Sequence, residues 1–463
     1  MNFFEIKKRR LKNGKYISVS ESGNFLISNA KSFLVSGNKE KLLNAGFCFN
    51  EVEDFFFLSN KFRRYVRTDP PRKLNYIIAI PTLRCDLSCS YCQVSRANTE
   101  AKGYDWSDEI VDKFIEFVSD RCEDNVKIEF QGGEPSLRLD IIKRIVDEVS
   151  TTKPKSSFVL CTNLSKIEPE MNELLSNERF HISSSLDGPP EIHTRNRTQD
   201  SILTDQFFHN LDFVLKEYGS KKISLLPTIT NYDQIPGIID FFFEKGISEI
   251  FLRPVNYQGF AKKKYSIEAN AKEEWVKAYL NALEYIEEKN SKSARKIIET
   301  GLSIHLNRII KPKSFDYVDL RNPNLLGADY LVVNYDGKLF PTDESRMLHR
   351  VGIIDLSIGD ILTGVDKERL QAINSRSANF GDPACDNCAY QIYCGVDNVD
   401  KISRYGTLDH PTLDTFFCYN HMNIFDYIFQ KISTRNPETL LNYNLHLSGR
   451  YEASTIFSEA FYD

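Results

Sequence analysis

Short runs of β-branched and aromatic residues alternate with amphipathic helical patterns between residues 76 and 253. Two of the intervening segments place their apolar residues on one helical face, the first from Ile110 to Val118 and the second from Ile141 to Val146. The alternation predicts a parallel α/β sheet, curved or closed into a partial barrel, with function on the loops after strand C-termini. The six predicted strands are Tyr76–Ile80, Val126–Phe130, Ser157–Cys161, Phe180–Ser185, Lys222–Pro227 and Glu249–Arg253.

The flanking segments differ in character from this barrel, which we assign to residues 74–310. Residues 1–70 contain a strand-like piece that turns at Ser22-Gly23 and a short helical pattern, so they predict a small N-terminal α+β module. Residues 311–430 turn to short strands and loops around a group of cysteines, and residues 431–463 form an aromatic-rich tail. The sequence therefore predicts four units.

Composition narrows the class of protein. The chain has 463 residues, and 59 Lys and Arg against 64 Asp and Glu give a net charge of -5. No chain-wide basic field is available to hold a nucleic acid backbone, so we expect no nucleic acid partner. No window approaches the roughly 20 apolar residues of a spanning helix, and the N-terminus lacks the apolar core of a signal peptide. We expect a cytoplasmic protein without a membrane partner.

Ten cysteines are the unusual feature, and six of them fall into two tight groups. Such clustering in a chain of this size is typical of metal binding rather than of a disulfide framework. The first group is Cys85, Cys89 and Cys92, and the second is Cys385, Cys388 and Cys394, followed after 23 further residues by Cys418. We interpret Cys48 and Cys161 as core thiols and Cys122 as an incidental thiol near a helix end.

The first group places three thiols on one short loop directly after the first predicted strand. Structural zinc sites usually take four protein ligands, whereas a [4Fe-4S] cluster can be held by three cysteines, which leaves one iron open. A zinc knuckle or a chance cluster is the alternative interpretation.

This loop, Cys85-Asp-Leu-Ser-Cys89-Ser-Tyr91-Cys92, resembles that of the radical S-adenosylmethionine (SAM) superfamily. The loops after the next three strands also resemble motifs of that family. They are Gln131-Gly132-Gly133-Glu134-Pro135, similar to the GGE motif; Thr162-Asn163; and Ser185-Leu-Asp-Gly-Pro189 with His193 and Arg197.

The resemblance implies a [4Fe-4S] cluster bound to SAM and a radical that abstracts hydrogen from an unactivated C–H bond. It implies that Glu134 meets the amino group of SAM, that Ser185 contacts its ribose or carboxylate, and that Arg197 binds the carboxylate in a forked salt bridge. A glycine pair lets the backbone approach a ligand closely. The implied cofactor-binding residues are Tyr91, Gly132, Gly133, Glu134, Asn163, Ser185, Arg197 and Leu252, of which Asn163 and Leu252, like Thr228, could equally serve barrel packing.

The four thiols of the second group can close a metal site, and their spacing allows zinc or an iron-sulfur cluster. Behind a radical SAM barrel the group resembles the SPASM domain, a C-terminal extension that carries auxiliary clusters. Leu326, Thr342 and Asn398 stand where the SPASM pattern has further cysteines. The resemblance therefore implies one auxiliary [4Fe-4S] cluster, held by Cys385, Cys388, Cys394 and Cys418, and no second one.

Asp343 directly follows Thr342, at a position where some SPASM enzymes carry an aspartate that acts as general base on the substrate. We predict that Asp343 is a catalytic base. The alternative is that Asp343 and Glu344 cap a turn or the start of a helix.

The regions Gly327–Glu344 and Cys388–Cys418, together with the N-terminal pattern Leu26–Leu34, resemble maturases of the His-Xaa-Ser system and related cyclophane-forming enzymes. That resemblance implies a ribosomally synthesised precursor peptide as substrate, hydrogen abstraction from a side-chain Cβ, an intrapeptide crosslink to an aromatic ring, and a reducing flavodoxin- or ferredoxin-type partner. One alternative is a dehydrogenase that oxidises a protein Cys or Ser, as sulfatase-maturing members do. A non-catalytic zinc protein that binds peptide or RNA is another.

Residues 1–70 could bind the leader of such a peptide along a strand edge. Arg63, Arg64 and Arg67 could then contact an acidic leader, although a charge run is usually a solvated face. The alternative is a structural brace on the barrel.

Overall fold

The computed structural model describes residues 2–29, 42–51 except 44, 73–264, 271–311, 317–434 except 329, and 461–462. Arg63, Arg64 and Arg67 lie outside the described residues, as does most of the aromatic tail.

A seven-stranded sheet forms the centre of the fold. Its buried apolar residues alternate with partly exposed ones along the strands, so that one face packs against helices and the other faces the interior of the barrel. Five successive strands are parallel, in spatial order Leu74–Thr82, Cys122–Gly132, Ser157–Thr162, Phe180–Ser185 and Ile223–Leu226. These strands confirm the prediction of a mainly parallel α/β sheet.

Two further strands extend this sheet beyond Leu74–Thr82. Tyr330–Val333 pairs with Leu74–Thr82 in parallel, and Leu339–Phe340 pairs with Tyr330–Val333 antiparallel. The segment that follows the barrel in sequence thus shares its sheet.

The prediction that Glu249–Arg253 forms a single sixth strand of the large sheet is wrong. Glu249–Ile250 pairs with Ile298–Glu299, and Arg253–Pro254 pairs with Thr228–Ile229. Pro227 precedes Thr228 and has no N–H to donate, which ends the ladder of the fifth strand and starts a separate short one.

Helices cover the outer face of the parallel strands. The predicted apolar faces are confirmed, since Val111, Phe114 and Val118 are buried on the first helix and Ile141 and Ile145 on the second. The helices of the barrel are Asp108–Arg121, Leu139–Thr152, Pro169–Ser176, Pro190–His193, Ser201–Tyr218 and Ile235–Glu244.

The C-terminal half is mainly helical and packs against the barrel. Lys431 on its last helix lies 2.7 Å from Glu287 on Ala271–Ser291, and these two helices bury apolar faces against each other. The helices are Gly259–Lys264, Ala271–Ser291, Thr300–Ile310, Asp343–Arg350, Lys367–Ile373, Pro383–Asp386, Asn398–Tyr405 and Phe416–Ser433; Gly359–Asp360 and Gly364–Val365 form a short hairpin. Within the described part of the chain, we find no helix with the length and apolar character needed to span a bilayer.

A second sheet is built from the N-terminal residues. Lys7–Arg10, Tyr16–Val19 and Phe25–Ser28 form an antiparallel meander, and Phe461–Tyr462 pairs in parallel with Phe25–Ser28. Asn2–Phe3 and Cys48–Phe49 form a separate antiparallel pair.

The N-terminal sheet rests on the C-terminal helix and the loop before it. Arg9 donates hydrogen bonds from Nε and Nη2 to the two carboxylate oxygens of Asp426, each at 2.6 Å. The hydroxyl of Tyr393 donates to the carbonyl of Gly23 at 2.6 Å, and Ile17 belongs to the main hydrophobic core. These contacts support the interpretation as a brace, and leader binding stays a prediction.

Candidate functional site

The three cysteines of the first group lie on the loop that follows Leu74–Thr82 and line one wall of a cavity of about 280 Å³. The backbone N–H of Cys85 donates to the carbonyl oxygen of Ala97 at 3.0 Å, and the N–H of Cys92 donates to the carbonyl oxygen of Cys89 at 3.2 Å. The loop is therefore folded on itself. Burial raises the pKa of Cys85 and Cys89 above the ordinary thiol value. The structure thus brings the predicted metal ligands to the carboxyl end of the sheet.

Gly132 and Gly133 hold the neighbouring loop against the cysteine loop. A Cβ atom on Gly132 would lie 2.1 Å from the carbonyl oxygen of Thr82, and one on Gly133 would lie 2.1 Å from that of Arg84. Gly132 also has a φ of 150°. The glycines are therefore required for a close approach between two stretches of backbone, one residue away from Cys85, and not only for approach to a ligand.

Glu134 is buried and accepts three hydrogen bonds. Its Oε1 accepts from the hydroxyl of Thr162 at 2.8 Å and from the N–H of Ser136 at 3.0 Å, and its Oε2 accepts from the N–H of Asn163 at 2.7 Å. Burial raises the pKa of Glu134. The carboxylate lines the cavity and ties the second and third strand ends together.

Asn163 connects this group to the cysteine loop. Its Nδ2 donates to Oδ1 of Asp86 at 2.7 Å, and the hydroxyl of Ser165 donates to Oδ2 of the same residue at 2.6 Å. Because Asp86 directly follows Cys85, these bonds fix the first cysteine relative to the third strand.

Tyr91 links the cysteine loop to the loop after the fourth strand. Its buried hydroxyl lies 2.9 Å from each carboxylate oxygen of Asp187 and accepts a 2.7 Å hydrogen bond from Nη1 of Arg197. Asp187 also accepts from the N–H of Thr228 at 3.2 Å. Arg197 lies on a single π-helical turn, Thr194–Thr198, a feature that is frequent at functional sites.

Ser185 and Thr228 line the same cavity as the cysteines, whereas Leu252 does not. Leu252 is buried in the wall of a second cavity, and its N–H donates to Glu299 at 3.1 Å. Leu252 therefore lies in the wall of a different cavity from the other predicted cofactor-binding residues.

Two buried polar atoms in the wall of the first cavity have no hydrogen-bond partner among the described residues. They are Oγ of Ser184 and Nε of Arg253. Unpaired buried polar groups are costly, and a bound molecule with polar atoms would satisfy them. Together with three thiols in one wall, they fit a cavity that takes a cluster and a polar cofactor.

The second cavity, of about 420 Å³, adjoins the first. It lies between the barrel and the C-terminal helices, and aromatic side chains such as Trp275, Tyr279 and Phe417 line much of it. Five residues contribute to the walls of both cavities: Gln93, Gln131, Arg253, Pro254 and Asn256.

Asp343 lies in the wall of the second cavity, in the first turn of helix Asp343–Arg350. Nε and Nη2 of the buried Arg346 both donate to its Oδ1, at 2.8 and 2.6 Å. The helix is capped by Thr342, whose hydroxyl accepts from the N–H of Ser345 at 3.0 Å, and not by the side chain of Asp343. The predicted base is thus held at the cavity by a buried guanidinium.

The four cysteines of the second group come from neighbouring segments, since Cys385, Cys388 and Cys418 each contribute to raising the pKa of Cys394. Cys385 lies within the helical turn Pro383–Asp386, Cys388 and Cys394 follow on a tight loop, and Cys418 lies in the first turn of Phe416–Ser433. Burial and the neighbouring thiols Cys418 and Cys388 contribute to raising the pKa of Cys385 to about 12. Among the described residues, no three His, Cys, Asp or Glu side chains are close enough to bind a single ion, so the binding of an auxiliary cluster by these four thiols stays a prediction.

The three residues that stand in place of cysteines have structural roles. Leu326 is buried in an apolar cluster with Leu348 and Val399. Thr342 caps a helix, and Nδ2 of Asn398 donates to the carbonyl of Arg376 at 2.7 Å. Because Thr342 caps the helix that carries Leu348 and Asn398 directly precedes Val399, all three positions adjoin this apolar cluster.

Sequence reasoning missed Cys161, which lines the first cavity, and also Asp86 and Asp187, whose carboxylates accept hydrogen bonds from the lining residues Asn163 and Tyr91. Cys161 was interpreted as a core thiol, but it lines the cavity and donates to Glu129 at 3.2 Å. Strand alternation could have found it, because the buried Phe158 and Leu160 define the outer face of Ser157–Thr162 and leave Cys161 on the inner one.

A family model for the radical SAM superfamily matches residues 79–242. Residues 79–242 form a radical SAM domain. This domain contains the first cysteine group and the motif residues up to Arg197, together with the strands that carry them.

Two curated proteins are similar to parts of this chain. A cysteine-type anaerobic sulfatase-maturating enzyme of Clostridium perfringens is 24% identical over 245 residues, which are 46% of this chain and 62% of that protein. The radical SAM cyclopropyl synthase TigE of Paramaledivibacter caminithermalis is 24% identical over 168 residues, 33% of this chain and 35% of that protein. The chain spans less than two thirds of the length of either relative.

Two solved structures share the fold of the chain. Native anSMEcpe with bound AdoMet has a TM-score of 0.61 and 19% identity, and the match covers 80% of this chain and 100% of that one. Streptococcus suis SuiB bound to precursor peptide SuiA has a TM-score of 0.51 and 14% identity over 87% of this chain and 97% of that one. At these identities the likeness shows the fold alone, an α/β fold with a mainly parallel sheet.

Proposed function

We propose that the chain is a radical SAM enzyme that modifies a ribosomally synthesised precursor peptide, forming a cyclophane-type crosslink between a side-chain Cβ and an aromatic ring. The observation that carries the proposal is the junction of the two cavities, which share five wall residues. A cofactor held by the cysteine loop in the first cavity would adjoin a substrate bound in the second.

In the first cavity, Cys85, Cys89 and Cys92 would hold a [4Fe-4S] cluster, with SAM beside it. When bound, cluster and SAM supply a 5′-deoxyadenosyl radical that takes a hydrogen atom from the substrate Cβ. The protein's task is to position that reaction and to exclude water. Ser185, Arg197 and Glu134 would orient SAM. The hydrogen bonds of Tyr91 and Asn163 hold these groups in a fixed position relative to the cysteine loop.

In the second cavity, Asp343 would serve as the base. When a Cβ radical bonds to an aromatic ring, restoring the ring requires the loss of one electron and one proton. The hydrogen bonds of Arg346 both use Oδ1 of Asp343, so we assign proton acceptance to Oδ2.

The electron would leave through the C-terminal region. Cys385, Cys388, Cys394 and Cys418 would hold one auxiliary [4Fe-4S] cluster, which supplies an electron acceptor. Cys418 and Asn420 lie on the same helix, and Asn420 lines the second cavity. A flavodoxin- or ferredoxin-type protein would supply the reducing electron for the first cluster.

The names of structural neighbours support a peptide substrate. SuiB has been solved with precursor peptide SuiA, and anSMEcpe with Cp18Cys peptide. The aromatic residues that line the second cavity suit a peptide side chain with an aromatic ring.

A second candidate function is oxidation of a protein Cys or Ser side chain, and the similarity to the sulfatase-maturating enzyme favours it. The filled region around Leu326 weighs against it, because the SPASM cysteines that the chain lacks would hold a further cluster there.

The test is coexpression of the protein with a short peptide encoded beside its gene, followed by tandem mass spectrometry. We expect a peptide that has lost two hydrogen atoms and gives no fragments between the joined residues. A product that reacts with hydroxylamine as an aldehyde would favour the second candidate, and an unmodified peptide despite SAM cleavage would contradict both.

A further inference from the structure

Two buried histidines meet in the wall of the second cavity, and the reaction proposed above uses neither. His305 lies on Thr300–Ile310 and His421 on Phe416–Ser433. Nε2 of His305 is 2.7 Å from Nδ1 of His421, and the ring centroids are 5.0 Å apart. Both residues line the cavity.

The contacts of His305 determine where the hydrogens of this pair lie. Nδ1 of His305 is 2.7 Å from the carbonyl oxygen of Gly301, which can only accept, so this nitrogen carries a hydrogen. In the neutral ring, Nε2 of His305 is then an acceptor, and Nδ1 of His421 must be the donor. Nε2 of His421 is consequently left with a lone pair.

That lone pair has no hydrogen-bond partner among the described residues, although the ring lines the cavity. A bound substrate would therefore meet one fixed acceptor on this wall. The pair is neutral near pH 7, since burial lowers the pKa of His305 to about 4 and that of His421 well below its ordinary value. A group with so low a pKa is a poor general base, but it accepts a hydrogen bond well.

The surroundings of the acceptor are aromatic. The ring of Phe417 is 4.2 Å from that of His421 and steeply inclined to it. Nε1 of Trp275 donates to Oδ1 of Asn420 at 3.1 Å, so the indole is fixed against the residue that precedes His421. Phe417, Trp275 and Asn420 all line the cavity. Such walls suit a flat ring, which packs edge to face on its neighbours.

The charged groups of the cavity include two internal ion pairs. Arg346 bonds to Asp343, and Nε of Arg404 donates to Asp400 at 2.7 Å. Nε2 of His421 is therefore an uncharged acceptor in this cavity. It can accept a hydrogen bond from an uncharged N–H or O–H group of a substrate.

We propose that Nε2 of His421, held in its acceptor form by His305, binds a side-chain N–H or O–H on an aromatic residue of the substrate peptide. His421 is then a binding residue that selects a tryptophan or tyrosine ring over phenylalanine, and His305 is a positioning residue. This inference rests on the proposed function, because it names the side chain that enters the second cavity.

Binding of small probes to the reconstituted protein with SAM, followed by ligand-detected NMR, tests the inference. We expect N-acetyl-tryptophanamide to bind about tenfold more tightly than its 1-methylindole analogue, which lacks the N–H. His421→Phe should abolish that preference. Because the first comparison uses the unmodified protein, it is informative even if the variant does not fold.

Two measurements test the positioning role of His305. They are the binding preference for N-acetyl-tryptophanamide over its 1-methylindole analogue and the tautomer of His421. In ¹⁵N-histidine-labelled protein, Nε2 of His421 should resonate as an unprotonated nitrogen, assigned by its disappearance in His421→Phe. His305→Phe should shift this resonance toward the tautomer average and reduce the probe preference.

Three results would overturn the inference: equal binding of both probes to the unmodified protein, no measurable binding of either, or a His421-dependent preference for N-acetyl-lysinamide. SAM cleavage by the same unmodified preparation reports separately on the proposed function. Intact cleavage with equal probe binding rejects only the histidine acceptor, whereas absent cleavage rejects the radical SAM function itself.

Discussion

Arg9 donates two hydrogen bonds of 2.6 Å to Asp426, one to each carboxylate oxygen. The pair joins the first strand of the N-terminal meander to the helix that begins beside Cys418, more than four hundred residues later in the chain. The hydroxyl of Tyr390 also donates to Asp426 at 2.6 Å, so the carboxylate is fixed from both sides. This arrangement makes the N-terminal sheet part of the support for the second cysteine group.

We expect Arg9→Gln to destabilise the protein, because it leaves the carboxylate of Asp426, which is only 9% exposed, without its charged partner. The cost is about 1.5–3 kcal/mol, as for other hydrogen bonds to charged groups. Thermal unfolding of the variant should be compared with that of Arg10→Gln, a change at the exposed next residue of the same strand. Equal midpoints for the two variants would rule out the brace.

Removal of one ligand should separate the two cysteine groups. Cys418→Ala should reduce the iron content of anaerobically reconstituted protein from about eight to about four atoms per chain, since only one [4Fe-4S] cluster is lost. SAM cleavage should persist, because the first group lies on a different part of the fold. Retention of all the iron would show that Cys418 is not a ligand.

Asp343→Asn should uncouple SAM cleavage from product formation. The amide keeps the shape of the carboxylate but accepts no proton, so crosslinked peptide should fall by at least about a hundredfold while 5′-deoxyadenosine still forms. Asp343→Glu retains a carboxylate and should recover part of the product. Normal crosslinking by the Asn variant, measured by mass spectrometry, would dismiss Asp343 as the base.

The parts of the fold that follow from local periodicity could be predicted from the sequence. The five parallel strands and the buried face of Leu139–Thr152 are local patterns, and the structure confirms them. The addition of Tyr330–Val333 to the same sheet is a pairing across about 250 residues of chain, which no local pattern specifies. The split of Glu249–Arg253 depended likewise on a distant partner, Ile298–Glu299.

The candidate site also contains contacts between distant residues that no local sequence pattern specifies. Cysteine spacing and motif residues located the first cavity, because those residues follow successive strand ends. The pairing of His305 with His421 joins two helices over 116 positions in the sequence, and neither histidine belongs to a recognisable motif. Contacts of this kind are determined by tertiary packing.

A pH dependence of stability should arise from His193, whose two ring nitrogens are buried without a partner among the described residues. Burial lowers its pKa to about 3 in the folded protein, whereas in the unfolded chain the pKa is about 6.5. Between these values only the unfolded state binds the proton, so stability falls as pH falls, by up to about 1.4 kcal/mol per pH unit.

Urea unfolding of the metal-free chain at pH 7 and pH 5.5 measures this contribution. His193→Phe preserves the stacking on Phe207 and should make the loss of stability at the lower pH smaller, whereas His209→Phe, at an exposed position, should not. Parallel pH profiles for His193→Phe and the unmodified chain would contradict the buried neutral histidine.

The central claim is that Cys85, Cys89 and Cys92 hold a cluster that cleaves SAM. The most direct measurement is SAM cleavage by anaerobically reconstituted, reduced protein, together with metal analysis of the same sample. We predict formation of 5′-deoxyadenosine and about eight iron and eight sulfide per chain, with cleavage abolished in Cys89→Ala and retained in Cys122→Ala, which changes a buried thiol away from the cavity. Stoichiometric zinc without iron, or undiminished cleavage by Cys89→Ala, would contradict the account.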